Sequence, residues 1–413
     1  MNMQAGRTSA ASLAVFSGEY CRGEEVVTAL SREAGLRLVD DGELTAAAVK
    51  LSGLPETTIA RAFSPRSSVF DRFTHEKKRS LVWLRLALAD LLVEPRLLLA
   101  GKLAHLVPRD ISHLLKVCLI ADLPYRVQRA METEGLEKKE AMRRISAADV
   151  AKSHWTGTLL GNEDPWDPAL YDILLPMATT PVDQAVATIS EHLYQEALQP
   201  TENSRQALAD FQLAARCSEA LARAGHDGEV TSRNGAITVA INKKVLMFHR
   251  LREEVQAVLG AIAGVNSVEV AVEAGSRPVD VYRKYDLGKP SKVLLVDDER
   301  EFVQTLSERL IFREVGTAVA YDGQSALEMV VDEDPDVLVL DLKMPGIDGI
   351  EVLRRVKKIR PEVEVIILTG HGSDEDRKTC MELGAFAYLH KPVDIDLLSG
   401  KLKEAHDRVR SRR

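Results

Sequence analysis

Asp336-Val337-Leu338-Val339-Leu340-Asp341 sets four aliphatic residues between two carboxylates, and the turn-rich run Leu342-Lys343-Met344-Pro345-Gly346-Ile347-Asp348-Gly349 follows. A strand this short and this uniformly apolar has no polar face to offer water. Both faces must be covered, as in a parallel sheet packed between helices. On either side the pattern repeats: residues 292–296 end in Asp297-Asp298-Glu299, residues 363–368 in Thr369-Gly370, and residues 386–389 in His390-Lys391-Pro392. Residues 317–320 supply a fifth strand, and amphipathic helical patterns fill the gaps at 301–312, 324–331, 350–359, 374–383 and 395–409. Short apolar strands alternating with helices predict a five-stranded, parallel, doubly wound α/β fold over residues 291–413.

In such a sheet the functional crevice opens beyond the carboxyl ends of the strands, near the topological switch point. Asp297 and Asp298 close the first strand, Asp341 the third, Thr369 the fourth and Lys391 the fifth. Carboxylates converging there repel one another unless a cation lies among them. Hard oxygen donors with room left for water suit Mg²⁺. The Lys391 ammonium and Thr369 hydroxyl would then bind oxygens of a phosphoryl group carried on the central carboxylate. Each residue alone has an ordinary reading: an Asp at a strand end caps the next helix, Lys391 is surface, and Thr369-Gly370 is a turn. Their order at matching strand ends favours one shared site.

These motifs resemble the receiver domain of two-component response regulators, over residues 292–409. The resemblance implies that Asp341 is the phosphoacceptor. It implies that Asp297, Asp298 and Asp341 hold Mg²⁺, directly or through water, with the backbone carbonyl of Lys343 as a further contact. Thr369 and Lys391 would touch the phosphoryl oxygens, and Tyr388 would be the switch aromatic that turns inward as Thr369 moves. The implied phosphoryl donor is a sensor histidine kinase or a phosphotransfer protein.

Residues 12–198 also read as α/β, with strands at 13–16, 96–100 and 116–120 and helices at 24–34, 124–133 and 138–148. Gly18-Glu19-Tyr20-Cys21-Arg22-Gly23 joins the first strand to the first helix. Gly18 and Gly23 have the spacing of a phosphate-binding loop, but Glu24 and Glu25 stand where that loop carries Lys and Ser/Thr. Two carboxylates beside a triphosphate repel it, and a plain turn is the ordinary reading.

The wider pattern resembles the cytidylate kinase-like family of P-loop nucleotide kinases over residues 12–195. It does so in Ser17-Gly18-Glu19-Tyr20, Leu99-Ala100-Gly101-Lys102, Ala121-Asp122-Leu123-Pro124-Tyr125-Arg126, Glu134-Gly135-Leu136, Glu140-Ala141-Met142-Arg143-Arg144-Ile145 and Trp166-Asp167-Pro168-Ala169-Leu170-Tyr171-Asp172. The resemblance implies a P-loop kinase-like α/β domain with a degenerate phosphate loop. Its lid would begin at Arg143-Arg144, and Lys152 stands where a lid arginine is usual. Gly18, Arg22, Gly23, Arg143 and Lys152 would form a nucleotide site for ATP or CMP.

Residues 206–274 read as a small α+β domain, with a helix at 205–224, strands at 229–233 and 236–241 joined by Asn234-Gly235, a helix at 251–263 and a strand at 267–272. Asn-Gly between alternating strands is a hairpin signal. The order, with Gly264-Val265-Asn266-Ser267-Val268, resembles the BON module and carries no catalytic constellation. Polar, turn-forming residues 199–204 separate this segment from the first, and residues 275–290 read as a linker to the last.

Composition narrows the function class. Lys and Arg number 54 against 62 Asp and Glu, a net charge of −8. Residues 291–413 carry −6 of this, with 19 basic and 25 acidic side chains, so no segment has the basic excess of a nucleic-acid-binding domain. No DNA-binding output domain is evident. The basic end Arg408-Val409-Arg410-Ser411-Arg412-Arg413 reads as a solvated helix terminus. The four cysteines lie far apart, without zinc spacing or a disulfide framework. Neither a membrane-length apolar run nor a secretory leader is present, so a cytoplasmic setting is expected, with homodimerisation left open. The combined expectation is a phosphorelay protein whose receiver regulates a nucleotide-kinase-like domain acting mainly by binding. The alternative is an active nucleoside monophosphate kinase under receiver control.

Overall fold

The computed structural model describes residues 11–64, 76–226, 228–241, 248–272, 292–311, 313, 315–370 and 372–412. The linker expected at 275–290 lies outside these residues. The described chain divides into two compact units, one built from residues between Ala11 and Ser64 and between Lys77 and Val272, and one from Glu76 and residues between Lys292 and Arg412.

The first unit opens with β1 (Ser12–Ser17), α1 (Gly23–Ala34), β2 (Arg37–Asp40), α2 (Asp41–Ser52), α3 (Glu56–Ala60), α4 (Glu76–Leu91), β3 (Leu97–Ala100), β4 (Leu114–Ile120), α5 (Leu123–Glu134), α6 (Lys138–Leu160), β5 (Ile173–Pro176) and α7 (Val182–Leu193). The sheet is parallel, in the order β2-β3-β1-β4-β5. Alternate residues of each strand serve opposite faces. Ala14, Phe16, Leu97, Leu99 and Cys118 pack with α2, α4 and Trp155 of α6. Leu13, Val15, Leu98, Val117 and Leu119 pack with Val26 and Leu30 of α1 and Ile189 of α7.

The unit continues through α8 (Glu202–Arg223), β6 (Glu229–Arg233), β7 (Ala236–Ile241), α9 (Phe248–Gly260) and β8 (Ser267–Val272). β6 and β7 form the hairpin expected from Asn234-Gly235, and β8 pairs with β7 in parallel. Asn234 and Gly235 both have positive φ, as the tight turn requires. Asp210 of α8 holds this turn, accepting from the Ser232 hydroxyl at 2.6 Å and the Asn234 N–H at 3.0 Å.

Residues 199–204 lead the chain from the five-stranded sheet into α8. Thr201 and Ser204 form a capping box that starts α8, the Thr201 hydroxyl accepting the Ser204 N–H at 3.1 Å. Ala207, Leu208, Phe211 and Ala215 of α8 lie on the core of the five-stranded sheet. Leu213, Cys217 and Leu221 of the same helix enter the core of the three-stranded sheet.

The second unit contains β9 (Val293–Val296), α10 (Arg300–Ile311), β10 (Thr317–Ala320), α11 (Gly323–Glu333), β11 (Val337–Leu340), α12 (Gly349–Ile359), β12 (Glu364–Thr369), α13 (Asp374–Glu382), β13 (Ala387–His390) and α14 (Ile395–Arg412). Its parallel sheet has the order β10-β9-β11-β12-β13. Leu294, Leu338, Leu340, Val365 and Ile367 face α11 and α12, whereas Val293, Val337, Val339 and Ile366 face α10 and α14. That division is the physical reason these strands are apolar without alternation.

The basic end of the chain is not merely a solvated terminus. Glu364, 1% exposed at the start of β12, accepts from Arg412 at 2.8 Å and pairs with Arg408 at 3.3 Å and Lys357 at 3.4 Å. The arginines fold back because a buried carboxylate needs cationic partners.

Candidate functional site

β9 and β11 are neighbours, and Val296 stands opposite Leu340. The next residue on each strand is a carboxylate, so Asp297 and Asp341 emerge side by side. β12 pairs with β13 with Thr369 opposite His390, which brings Lys391 to the same end. The Lys391 ammonium donates to Asp297 Oδ2 at 2.6 Å, Asp341 Oδ2 at 2.9 Å and Glu299 Oε1 at 2.9 Å, and lies 4.5 Å from the centre of the Phe302 ring. Asp341 Oδ1 is turned the other way and accepts the N–H groups of Leu342 at 2.6 Å and Lys343 at 3.4 Å.

Asp297, Asp298 and Asp341 each bring a carboxylate oxygen within 4.8 Å of the others. Asp297 and Asp341 are buried and Asp298 is exposed. Burial works against the Lys391 charge, but the hydrogen bonds it donates to Asp297, Glu299 and Asp341 outweigh it and hold the ammonium above its ordinary pKa. Three carboxylates surround one lysine, and all the acidic donors are hard oxygens. This donor set fits Mg²⁺.

Thr369 is fully buried at the end of β12. The Tyr388 hydroxyl is buried without a hydrogen-bond partner among the described residues. A Cβ on Gly372 would clash with that hydroxyl, lie 3.0 Å from Tyr388 Cζ and 3.1 Å from Thr369 Cγ2. Gly372 therefore makes the space in which the Tyr388 ring lies inward. Gly372→Ala is expected to swing the ring outward and destabilise the unit by about 1–3 kcal/mol, the usual cost of overpacking. Loss of the nuclear Overhauser effect between the Tyr388 ring and the Thr369 methyl would report the movement. Tyr388→Ala in the same background should relieve the clash; an unchanged ring position would refute the account.

The first unit treats its predicted residues unequally. Gly18, Arg22 and Gly23 lie in the loop between β1 and α1, and Lys152 reaches it through Glu19 at 2.7 Å. Arg143 does not: it is 78% exposed and pairs with Glu140 on its own helix at 2.8 Å. Its neighbour Arg144 donates to the Tyr20 hydroxyl at 3.4 Å and pairs with Glu134.

The loop is closed upon itself. Cys21 is fully buried, and a Cβ on Gly18 would lie 2.8 Å from its Sγ. Tyr20 and Arg22 take left-handed conformations, with φ of 60° and 59°, that glycine adopts more readily. Arg22 grips Glu25 through two bonds of 3.0 and 2.7 Å, and Arg129 adds a third at 3.1 Å. These contacts, Arg22 first, hold Glu25 below the ordinary carboxylate pKa.

Glu299 and Arg144 escape a residue-by-residue reading of the sequence. Glu299 could have been suspected from its place after the Asp pair. The choice of Arg144 over Arg143 depends on helix rotation, which adjacent residues divide by about 100°.

Residues 293–403 match the response regulator receiver domain family, and residues 14–179 match the cytidylate kinase-like family. Sporulation initiation phosphotransferase F of Bacillus subtilis (strain 168) is 40% identical over 115 residues, covering 27% of this chain and 91% of that protein. The chain belongs to the response regulator receiver family. Response regulator MprA of Mycobacterium ulcerans (strain Agy99) is 35% identical over 112 residues, 27% of this chain and 48% of that protein. This chain thus spans about half the length of the mycobacterial relatives. A receiver domain crystal structure from Clostridium thermocellum has 35% identity and a TM-score of 0.29, covering 30% of this chain and 98% of that one. The second unit is a CheY-like receiver of the two-component phosphorelay type, and the first contains a P-loop-kinase-like domain and a small α+β domain. Among the described residues, no helix is long and apolar enough to cross a membrane.

Proposed function

We propose that the receiver takes a phosphoryl group on Asp341 from a sensor histidine kinase or phosphotransfer protein and so regulates the first unit. The observation that carries this reading is the convergence of Asp297 and Asp341 on the Lys391 ammonium, at 2.6 and 2.9 Å. Asp341 supplies the attacking oxygen; its bond to phosphorus forms as the phosphorus–nitrogen bond of a phosphohistidine breaks. Asp297, Asp298 and Asp341, with the Lys343 carbonyl, would hold Mg²⁺. When bound, the ion offsets charge on the phosphoryl oxygens. Lys391 passes from the Asp341 carboxylate to a phosphoryl oxygen, Thr369 binds another, and Tyr388 responds to the movement of Thr369. A donor of this class is met in the cytoplasm.

The cytidylate kinase-like domain, over residues 12–198, acts mainly by binding. Cys21 fills the loop, and Glu24 and Glu25 stand at the start of α1. Residues 206–274 serve it as a BON-like binding module, with residues 275–290 as the linker to the receiver at 291–413. The test is ADP release by the full chain with ATP and CMP, dCMP or UMP, before and after phosphorylation of Asp341. Weak or absent turnover is expected in either state. Rates of about 1–10³ s⁻¹, the ordinary enzyme range, would establish an active nucleoside monophosphate kinase instead.

A further inference from the structure

Two buried cations of the first unit meet at Glu19. Lys152 of α6 is 8% exposed, and its ammonium donates to Glu19 Oε1 at 2.7 Å, whereas the Glu19 side chain is 48% exposed. Arg126 of α5, also buried, donates from Nε to the Glu19 carbonyl oxygen at 2.9 Å. Its two terminal nitrogens are each committed to Asp149 at 2.8 Å. Lys102, two residues beyond β3, donates to the Phe63 carbonyl at 2.9 Å and lies within the electrostatic reach of Lys152 and Glu19. Burial depresses its pKa.

Glu19, Lys102 and Arg126 follow the carboxyl ends of β1, β3 and β4, where a parallel sheet takes its ligands. The three cations differ in freedom. Arg126 is saturated by Asp149 and fixes the loop backbone. Lys152 is buried, and a buried ammonium is costly without an anion beside it. Glu19 is the exchangeable partner, because half of its side chain already meets water. It precedes Tyr20, whose left-handed backbone leaves the loop under strain. A phosphate group offers what the carboxylate offers, with more acceptor oxygens and more charge, and so can compete for Lys152.

We propose that Glu19 is an internal occupant of an anion site, holding Lys152 in the absence of ligand and yielding it to a phosphate group, free or carried on a nucleotide. The inference deepens the reading of the first unit as a binder and is independent of the receiver chemistry.

Calorimetric titration of the full chain with inorganic pyrophosphate, CMP and ATP tests it. Glu19→Gln is expected to tighten binding by about tenfold to a hundredfold, the range of a competing charged hydrogen bond. A gain with pyrophosphate as well as the nucleotides assigns a site for phosphate alone; a gain confined to CMP or ATP assigns a nucleotide-borne phosphate. Adding Lys152→Met should remove the gain. No gain with any of the three titrants, or a gain that survives Lys152→Met, would overturn the proposal. Should the Lys152 variant not melt cooperatively, Glu19→Gln decides alone, since replacing a half-exposed carboxylate leaves the core intact. Labelling of Asp341 is measured on the same preparations. An unlabelled receiver defeats the proposed function, whereas normal labelling with no gain in affinity defeats only this inference.

Discussion

Full-length protein treated with acetyl phosphate and Mg²⁺ gains one labile phosphoryl group, and Asp341→Asn gains none. Intact mass spectrometry reads the result directly. The loss is complete because the two oxygens of Asp341 have separate duties. Oδ1 is engaged by the N–H groups of Leu342 and Lys343, so Oδ2, held by Lys391 at 2.9 Å, is the oxygen left to attack phosphorus. An amide keeps the shape of the side chain but lacks the negative oxygen nucleophile. Lys391→Ala and Thr369→Ala retain the nucleophile, so they should still take up some phosphate while blunting the movement of Tyr388. Persistence of the adduct in Asp341→Asn, or equal loss of labelling in all three variants, would break this division of roles.

Glu364→Ala destabilises the receiver by about 3 kcal/mol, near the lower end of the cost of breaking a buried ion pair. The carboxylate is 1% exposed and faces Lys357, Arg408 and Arg412. Its removal strands Lys357, whose pKa burial already depresses. The two arginines are about half exposed and regain water, which keeps the cost from rising further. Glu364→Gln should lose less, because the amide oxygen still accepts from Arg412. Urea unfolding that resolves the receiver transition gives the measurement. A loss below about 1 kcal/mol, the value of an exposed pair, would mean that water already screens the cluster.

The receiver was legible because its central strands have no polar face to obscure the pattern, and because strand register carries Asp297, Asp341 and Lys391 together once the sheet order is known. The edge strands of the first unit carry weaker signals. β2, Arg37-Leu38-Val39-Asp40, buries only Val39, and β5 ends in Pro176 with alternating partial exposure. β2 lacks the apolar run that marks β1 or β4, and the short run Ile173-Leu174-Leu175 of β5 closes on a proline. The α8 start was read as a spacer because Ser204, rather than Glu or Gln, completes its capping box. The fate of Arg408 and Arg412 depends on Glu364, more than 40 residues earlier in the chain, a distance over which local charge patterning says nothing. Likewise, the spacing of Gly18 and Gly23 does not reveal that Cys21 turns inward to occupy the loop.

Helix α8 packs on both the kinase-like sheet and the three-stranded sheet, so the two are expected to fold as a single cooperative unit. Cutting after Leu198 would uncover the surface beneath Ala207, Leu208, Phe211 and Ala215 and leave the smaller sheet without its anchor. Amide hydrogens in β1 and β7 should therefore exchange through one shared global opening, not two independent ones. A signal that loosens the small sheet would then be felt in the larger one as a change in the population of that opening, without any displacement of the loop that follows β1.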